Sequence, residues 1–288
     1  MAATPFITIK DLCMDFPESG VTTDENQKMI RVLDNINLEI SEGEIVGVIG
    51  RSGCGKTVLI HLIRGIDNAP TAGQIIYHIS RCPKCGKIEF QSKAGTACPK
   101  CGDKLVALDV DFWNPENEKL KTDIMKRTAL MFQRTFALYG DDRVIENVLR
   151  ALDDIKYPSE KAIDRAADLI DEVRLTHRMT HVARDLSGGE KQRISIARSL
   201  LRKTPILIMD EATSALDLKT AWLVEEEISR LKDLTRIVIS HRMDEGNLRL
   251  YDKIIALNNG QVTEIGDFDQ LMEEKGYFYS LFQVAKSA

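Results

Sequence analysis

The chain has 288 residues, of which 43% are hydrophobic and 29% are charged, so it can bury the core of one large α/β domain with a small insertion. Its net charge of −5 gives no general attraction for nucleic acid and argues against a nucleic-acid partner. No run approaches the roughly 18 apolar residues that a membrane-spanning helix needs, and residues 1–10 lack a secretory pattern. We therefore expect a cytoplasmic protein, with peripheral attachment to a membrane as the alternative.

The predicted elements begin with two alternating, strand-like segments at 6–12 and 31–40, which a polar loop at 17–30 separates. A short apolar run at 44–49 predicts a buried parallel strand, and a helical pattern follows from Lys56 to about Gly65. The remaining predicted elements are strands at 74–79, 206–209 and 236–240, helices at 158–179, 188–203 and 217–233, and a hairpin around 258–260. Strands that alternate with helices in this way indicate an α/β fold.

The first motif with a chemical meaning is a glycine-rich loop. Residues 50–57 read G-R-S-G-C-G-K-T and match the phosphate-loop pattern G-x-x-x-x-G-K-[ST], between a predicted strand and a predicted helix. We predict that Lys56 bridges the β- and γ-phosphates of ATP and that Thr57 offers its hydroxyl to Mg²⁺. The other residues predicted to bind the nucleotide here are Gly50, Ser52, Gly53, Cys54 and Gly55.

A second motif places two acids at the end of an apolar strand. Residues 206–211 read I-L-I-M-D-E, and acids in that position are costly unless they face a ligand. Asp210 is predicted to hold Mg²⁺, directly or through water. Glu211 is predicted to act as the general base that polarises the attacking water.

Residues 186–190 read L-S-G-G-E and are followed by K-Q-R. Together with the motifs above, this run resembles the signature of the ABC (ATP-binding cassette) ATPase superfamily. Ser187 and the backbone of Gly188 and Gly189 open a predicted helix, and such a helix end can bind a phosphate. In the family, the signature binds the nucleotide that the opposite subunit holds. The resemblance therefore implies a dimer, which could join two copies of this chain or two different chains.

The resemblance also implies an architecture and further site residues. The expected fold is a P-loop NTPase nucleotide-binding domain over residues 1–288, with an antiparallel β subdomain and a helical subdomain at 134–200. Phe16 matches the aromatic residue that stacks on adenine, with an ordinary core phenylalanine as the alternative. Gln133 matches the Q-loop, which senses Mg²⁺ and water. The run S-A-L-D before Leu218 matches the D-loop at the dimer seam, and His241 matches the switch histidine that contacts the γ-phosphate.

Four of the six cysteines form two C-P-K-C-G repeats between the phosphate loop and Gln133. Two such knuckles can present four thiolates to one tetrahedral metal ion and leave no open position for catalysis. We expect a structural zinc site within an inserted zinc-ribbon-like module at 81–104, with iron as the alternative metal. Its predicted ligands are Cys82, Cys85, Cys98 and Cys101.

The sequence says less about the process that ATP hydrolysis drives than about the hydrolysis itself. Residues 44–200, with the CPKCG pair and the run Q-R-T-F-A-L-Y-G-D-D from Gln133, resemble the ATP-dependent activation component of methyl-coenzyme M reductase, a non-transport ABC ATPase. From Ile206 onward the chain looks more like a cassette from a membrane exporter. Its partner is therefore expected to be a soluble enzyme complex. The alternative is a separate membrane permease, and a nucleic-acid-binding ABC protein is the least favoured of the three.

Overall fold

The computed structural model describes residues 4–18, 28–66, 68–131, 138–154, 157–200, 204–213, 218–229 and 234–287. The strands are β1 Pro5–Pro17, β2 Met29–Ser41, β3 Ile45–Ile49, β4 Ala72–Arg81, β5 Ile88–Phe90, β6 Val106–Asp111, β7 Thr128–Met131, β8 Ile206–Asp210, β9 Thr235–Ile239, β10 Lys253–Asn258 and β11 Gln261–Gly266. The helices are α1 Lys56–Arg64, α2 Glu118–Lys126, α3 Val144–Asp154, α4 Ser159–Glu172, α5 Gly188–Leu200, α6 Leu218–Ser229, α7 Glu245–Leu248, α8 Phe268–Glu274 and α9 Tyr277–Ser287. None of the helices in these ranges is both long and apolar enough to cross a membrane.

Within the described residues the strands form two sheets. The first has the order β2-β1-β4-β5, with β6 also paired to β4, and all of its pairings are antiparallel. The second has the order β11-β10-β3-β9-β8-β7 and is parallel except for the β10–β11 hairpin at its edge. The central strands of this second sheet are almost wholly buried, as expected for parallel strands covered on both faces.

Two hydrophobic clusters lie on opposite faces of the parallel sheet. One combines residues of the antiparallel sheet with Leu59 and Ile63 on the inner face of α1. The other covers the far face with α3, α4 and α5 and with the C-terminal helices, including Phe278 and Phe282. The helix α1, which follows the phosphate loop, therefore packs between the two sheets.

Helix α4 ends earlier than the predicted segment 158–179. Arg174 adopts a left-handed conformation with φ 56°, and its N–H donates to the carbonyl of Asp171. The N–H of Leu175 donates to the carbonyl of Ile170, which completes a Schellman motif. Leu175 lies beyond the end of the helix but is fully buried. The apolar pattern therefore continues past the helix, which is why the sequence predicted a longer one. Glycine usually occupies this position, so an arginine there gives no warning of the stop.

The four-cysteine segment lies at the tip of a hairpin. Strand β4 pairs with β6 along its outer half, and the last pair of the ladder joins Arg81 to Val106. Between these two residues the chain forms β5, which pairs Ile88–Phe90 with the end of β4, so the insertion contributes a strand to the sheet. The β4–β6 ladder itself runs from Ile76 to Arg81 without a register shift, and the two cysteine knuckles lie before and after β5.

Tyr77 joins the antiparallel sheet to the helix after the phosphate loop. Its side chain is fully buried, and its hydroxyl donates to the carbonyl of Ile63 at 2.6 Å. Burial raises the pKa of this phenol well above its usual value, so it stays a neutral donor. The ring also lies at an edge-to-face angle to Phe6.

The substitution Tyr77→Phe is expected to lower the melting temperature, because the packing survives while the bond to Ile63 is lost. A buried hydrogen bond contributes about 1 kcal/mol, which corresponds to about 2–4 °C for a chain of this size. Thermal unfolding followed by circular dichroism measures the shift. Tyr279→Phe, at a half-exposed tyrosine, serves as the control. Equal melting temperatures for the two variants would contradict this role of the Tyr77 hydroxyl.

Candidate functional site

The phosphate loop connects β3 to α1 through a turn that requires glycine. Gly53 and Gly55 have φ values of 78° and 104°, which side-chain-bearing residues rarely adopt. A Cβ at Gly50 would lie 2.2 Å from the carbonyl oxygen of Leu257 and 2.6 Å from the sulfur of Cys54. These clashes explain why glycine occupies the first position of the loop.

The start of α1 is open to an anionic ligand. Its N-cap is Gly55, and no side chain caps the first backbone N–H groups of the helix. The side chain of Lys56 is buried, and its ammonium donates to the carbonyls of Gly50 at 2.8 Å and Arg51 at 3.0 Å. Thr57, Ser52 and Gly53 are exposed on the same loop. Uncapped N–H groups beside a lysine ammonium suit phosphate oxygens.

The acids predicted from the sequence lie at the carboxyl edge of the same sheet. The order β3-β9-β8 places the ends of three parallel strands side by side, and these ends lead into the phosphate loop, His241 and Asp210. The carboxyl edge of a parallel sheet is where such folds bind their ligands. The predicted residues therefore converge, although they come from three distant parts of the chain.

Asp210 is the last residue of β8 and is 9% exposed. Burial raises the pKa of its carboxyl, and the charge of the adjacent Glu211 raises it further. The positive charges of His61, Lys56 and His241 act in the opposite direction. A carboxylate in this environment gains from a bound cation, and with the Thr57 hydroxyl it offers the oxygen ligands that Mg²⁺ prefers.

Glu211 directly follows β8 in a left-handed conformation with φ 51°, which is strained for a residue with a side chain. Its N–H donates to the carbonyl of Ile239, and its carboxylate contacts Nε2 of His241 at 2.5 Å. This contact directs the carboxylate toward His241, which follows the neighbouring strand β9. A carboxylate held by a histidine can accept a proton from a water molecule, which is the role predicted for Glu211. The predicted contact of His241 with the γ-phosphate stays a prediction.

The signature segment has its own local structure. The hydroxyl of Ser187 accepts from the N–H of Glu190 at 3.3 Å, and the carboxylate of Glu190 accepts from the N–H of Ser187 at 2.8 Å. This is a capping box, and the spacing S-x-x-E could have predicted it. Burial alone would raise the pKa of Glu190, but the bonds from Ser187 and from Arg178 hold it below its usual value. No sequence motif pointed to Arg178, because it lies 12 residues from Glu190 and meets it only in the fold.

The start of the signature helix is accessible to solvent. Ser187 and Gly188 are exposed and Gly189 is half-buried. Within the part of the chain that the structure describes, no hydrogen bond joins these three residues to the phosphate loop. The signature therefore stays separate from the phosphate loop of the same chain.

Three predicted positions remain open. Phe16 is half-buried, lies opposite Ile30 in the β1–β2 ladder and packs against the core, which fits both of its predicted roles. Gln133 and the D-loop run before Leu218 lie outside the described residues. Their roles stay predictions.

The four cysteines of the insertion come together. Their sulfurs all lie within 4.8 Å of one another, with Cys82–Cys101 at 3.4 Å and Cys85–Cys98 at 3.5 Å. A disulfide would need about 2.05 Å, whereas four thiolates about 2.3 Å from one zinc ion lie about 3.8 Å apart. The two close pairs each join one knuckle to the other, so the cluster is close to the size of a tetrahedral thiolate site.

Backbone donors support these sulfurs. Burial by itself would raise the pKa of Cys98, but the N–H groups of Lys100 and Cys101 and the neighbouring thiols lower it to about 7. Within each knuckle the glycine N–H donates to the carbonyl of the first cysteine, as in Gly86 to Cys82 and Gly102 to Cys98. The residues present therefore fit a metal that binds thiolates.

The fold and the site define a phosphate-loop nucleoside triphosphatase. A family profile described as "ABC transporter" matches residues 33–214. The chain belongs to this family and carries its ATP-hydrolysing cassette. The expected ABC-type α/β nucleotide-binding fold is thereby confirmed.

Three similar proteins illustrate the relationship. The uncharacterized ABC transporter ATP-binding protein MJ1242 of Methanocaldococcus jannaschii is 44% identical over 246 residues, which cover 84% of this chain and 45% of that protein. The methionine import ATP-binding protein MetN of Staphylococcus haemolyticus is 32% identical over 249 residues, covering 85% and 63% respectively. The dimeric structure of the ATP-binding cassette MJ0796 bound to ADP and Pi superimposes with a TM-score of 0.64 at 25% identity, covering 91% of this chain and 98% of that one. The chain thus spans about half to three fifths of the two relatives. They do not establish the resemblance to the reductase activation component.

The substitution Glu211→Gln is expected to keep ATP binding and to lower turnover by about 100-fold or more, because general-base catalysis is lost. It should also accumulate an ATP-bound dimer, visible by size-exclusion chromatography. Lys56→Ala provides the contrast, since it should weaken nucleotide binding itself. Wild-type turnover in Glu211→Gln would remove Glu211 from the role of base, and unchanged nucleotide affinity in Lys56→Ala would count against the phosphate loop.

Proposed function

We propose that the chain is an ATP-hydrolysing cassette that works as a dimer and transmits dimer closure to a separate membrane permease. The observation that carries this proposal is the convergence of the phosphate loop, Asp210, Glu211 and His241 at one sheet edge. Family membership supports the ATPase. The names of the relatives, one of them a methionine import protein, support transport better than activation of a soluble enzyme. In this proposal the chain is cytoplasmic and attaches to the membrane through the permease.

In the proposed mechanism the open end of α1 and Lys56 bind the phosphates of ATP. Thr57, Asp210 and Gln133 would hold Mg²⁺, which supplies positive charge to the phosphate oxygens when it is bound. Glu211 accepts a proton from the attacking water while His241 orients the carboxylate. Because Glu211 is already held at a fixed backbone angle, little reorganisation is needed before the reaction.

The proposed dimer places the signature of one copy on the nucleotide of the other. Ser187 and Gly188 are exposed at the start of α5, and the capping box holds them in position. The positive end of a helix dipole suits a γ-phosphate. The dimeric state of the similar cassette MJ0796 supports this arrangement. We further propose that the cassette covers residues 1–288 and that it contains two smaller units, the inserted module at 81–104 and a helical subdomain at 134–200.

A second candidate function is energy coupling to another soluble enzyme. The observation that favours it is the four-cysteine module, which brings four thiols together beyond the end of the β4–β6 ladder. The resemblance of residues 44–200 to the activation component of methyl-coenzyme M reductase points the same way.

The two candidates are separated by partner capture. Tagged Glu211→Gln protein with ATP is expected to retain a polytopic membrane protein in stoichiometric amount from detergent-solubilised source cells, because the closed dimer should persist. The double variant Lys56→Ala/Glu211→Gln, which should not hold ATP, identifies background proteins. Capture of a soluble enzyme complex and no membrane protein would overturn the permease proposal in favour of the second candidate.

We also propose that the module holds one structural zinc ion. The support is the spacing of the four sulfurs and the backbone donors around them. Four thiolates leave zinc no open position, so the ion would stabilise the module and take no part in hydrolysis. Among the residues that the structure describes, the hydrophobic cluster at the sulfurs contains Leu105 and cysteines alone, so the metal would supply much of the folding energy here.

The substitution Cys98→Ser is expected to reduce zinc from about one ion per chain to a small fraction, because a three-thiolate site binds zinc less tightly. ATP turnover should persist, since the module lies outside the nucleotide site. Elemental analysis of purified protein measures the metal, with Cys13→Ser as the control cysteine outside the module. Iron in place of zinc, or equal metal content in both variants, would contradict the proposal. Loss of turnover together with the metal would contradict its separation from catalysis.

A further inference from the structure

Two short loops carry Glu211 and His241. The first, residues 211–213, follows β8, and the second, residues 240–242, follows β9. The strands are neighbours, and the loops run side by side from the sheet edge. The contact between the carboxylate and the imidazole therefore depends on the spacing of these two loops.

The side chain of Arg242 connects the two loops. It reaches Thr213, which lies two residues after Glu211. Nη2 of Arg242 donates to the carbonyl oxygen of Thr213 at 2.9 Å. The backbone N–H of Arg242 donates to the hydroxyl of Ser240 at 3.0 Å, which fixes the turn that presents His241. Each loop thus has a contact that flanks its predicted catalytic residue.

The bridge is anchored on α6. The hydroxyl of Thr213 donates to Oε1 of Glu225 at 2.5 Å, and Glu225 is 8% exposed. Its other carboxylate oxygen has no hydrogen-bond partner among the described residues. Burial raises the pKa of this carboxyl, while the Thr213 hydroxyl and the charge of Arg242 act in the opposite direction, and the nearby Asp244 raises it further.

A buried carboxylate with one hydrogen bond is a poor way to stabilise a fold. Its neighbours on α6, Ala221 and Ile228, are apolar and buried, and an apolar residue at this position would avoid the cost of desolvating a charge. Under-satisfied buried polar groups need an explanation other than stability. Here the carboxylate contacts the loop that carries the proposed general base.

We propose that Glu225 and Arg242 are positioning residues that hold the two loops at the spacing required by the Glu211–His241 contact. Glu225 acts through Thr213, and Arg242 acts directly on the same residue. The inference rests on the proposed role of Glu211 as general base. Because both contacts are made to the loop that carries the proposed base, their loss should affect the rate of hydrolysis and leave ATP binding unchanged.

The first test compares Arg242→Met and Glu225→Leu with the wild type in steady-state ATP hydrolysis and in equilibrium binding of a fluorescent ATP analogue. We expect kcat to fall by about 10-fold to 100-fold, because small displacements of catalytic groups are costly. Nucleotide affinity should stay within about twofold of the wild-type value. Glu225→Gln should restore most of the rate, since its amide oxygen can still accept from Thr213. The control variants are Arg249→Met and Glu245→Gln, an exposed ion pair outside both loops.

The second test repeats Arg242→Met and Glu225→Leu in a Glu211→Gln background. Residues that act through Glu211 should cause no further loss there, because effects on one catalytic unit are not additive. A fall of the same size in both backgrounds, wild-type kcat in Arg242→Met and Glu225→Leu, or lost nucleotide affinity would overturn the inference. Wild-type turnover in Glu211→Gln alone would instead show that the proposed base, and with it the premise, is wrong. Thermal unfolding of each variant verifies that it is folded.

Discussion

Close approach of three backbone segments determines the shape of the phosphate loop. The N–H of Gly260, in the β10–β11 turn, donates to the carbonyl of Cys54, and its carbonyl accepts from the N–H of Asp34 in β2. A Cβ at Gly260 would lie 2.4 Å from the carbonyl oxygen of Val32, and one at Gly55 would lie 3.0 Å from the same oxygen. Because neither glycine can carry a side chain, the two sheets meet directly at the loop. The position of α1, and so of Lys56, follows from this contact between backbones.

The same edge of the parallel sheet collects groups whose charges would be unfavourable alone. Asp210 is buried beside Glu211, and the lysine and histidines around it reduce the cost of its charge. Glu211 adopts a strained backbone angle that the β8–β9 ladder and His241 stabilise. The rest of the sheet is apolar and nearly fully buried, so it supplies the stability that this edge lacks. In the same strands, the carboxyl ends carry the functional groups and the buried middle residues supply the stability.

Local motifs were predictable from the sequence, and contacts between distant residues were not. The phosphate loop and the end of β8 follow from short runs whose glycines and acids have one physical explanation each. The early stop of α4 was missed because Arg174 occupies a position where glycine is usual. Glu225 was missed for a different reason: in a charged amphipathic helix a glutamate is expected to face solvent. Only the fold shows that it lies beneath Thr213.

The pairing of Arg81 with Val106 has a consequence for how this chain could have diverged from simpler cassettes. A hairpin whose last rung is already formed can be closed by a short turn or by a longer segment, and the entropy of closure grows only with the logarithm of the segment length. The cysteine knuckles can vary in this way on their own, whereas loss of the whole segment would also remove β5, whose Ile88 and Phe90 are buried in the core. Related proteins that share the ATPase core could therefore differ most at this one connection.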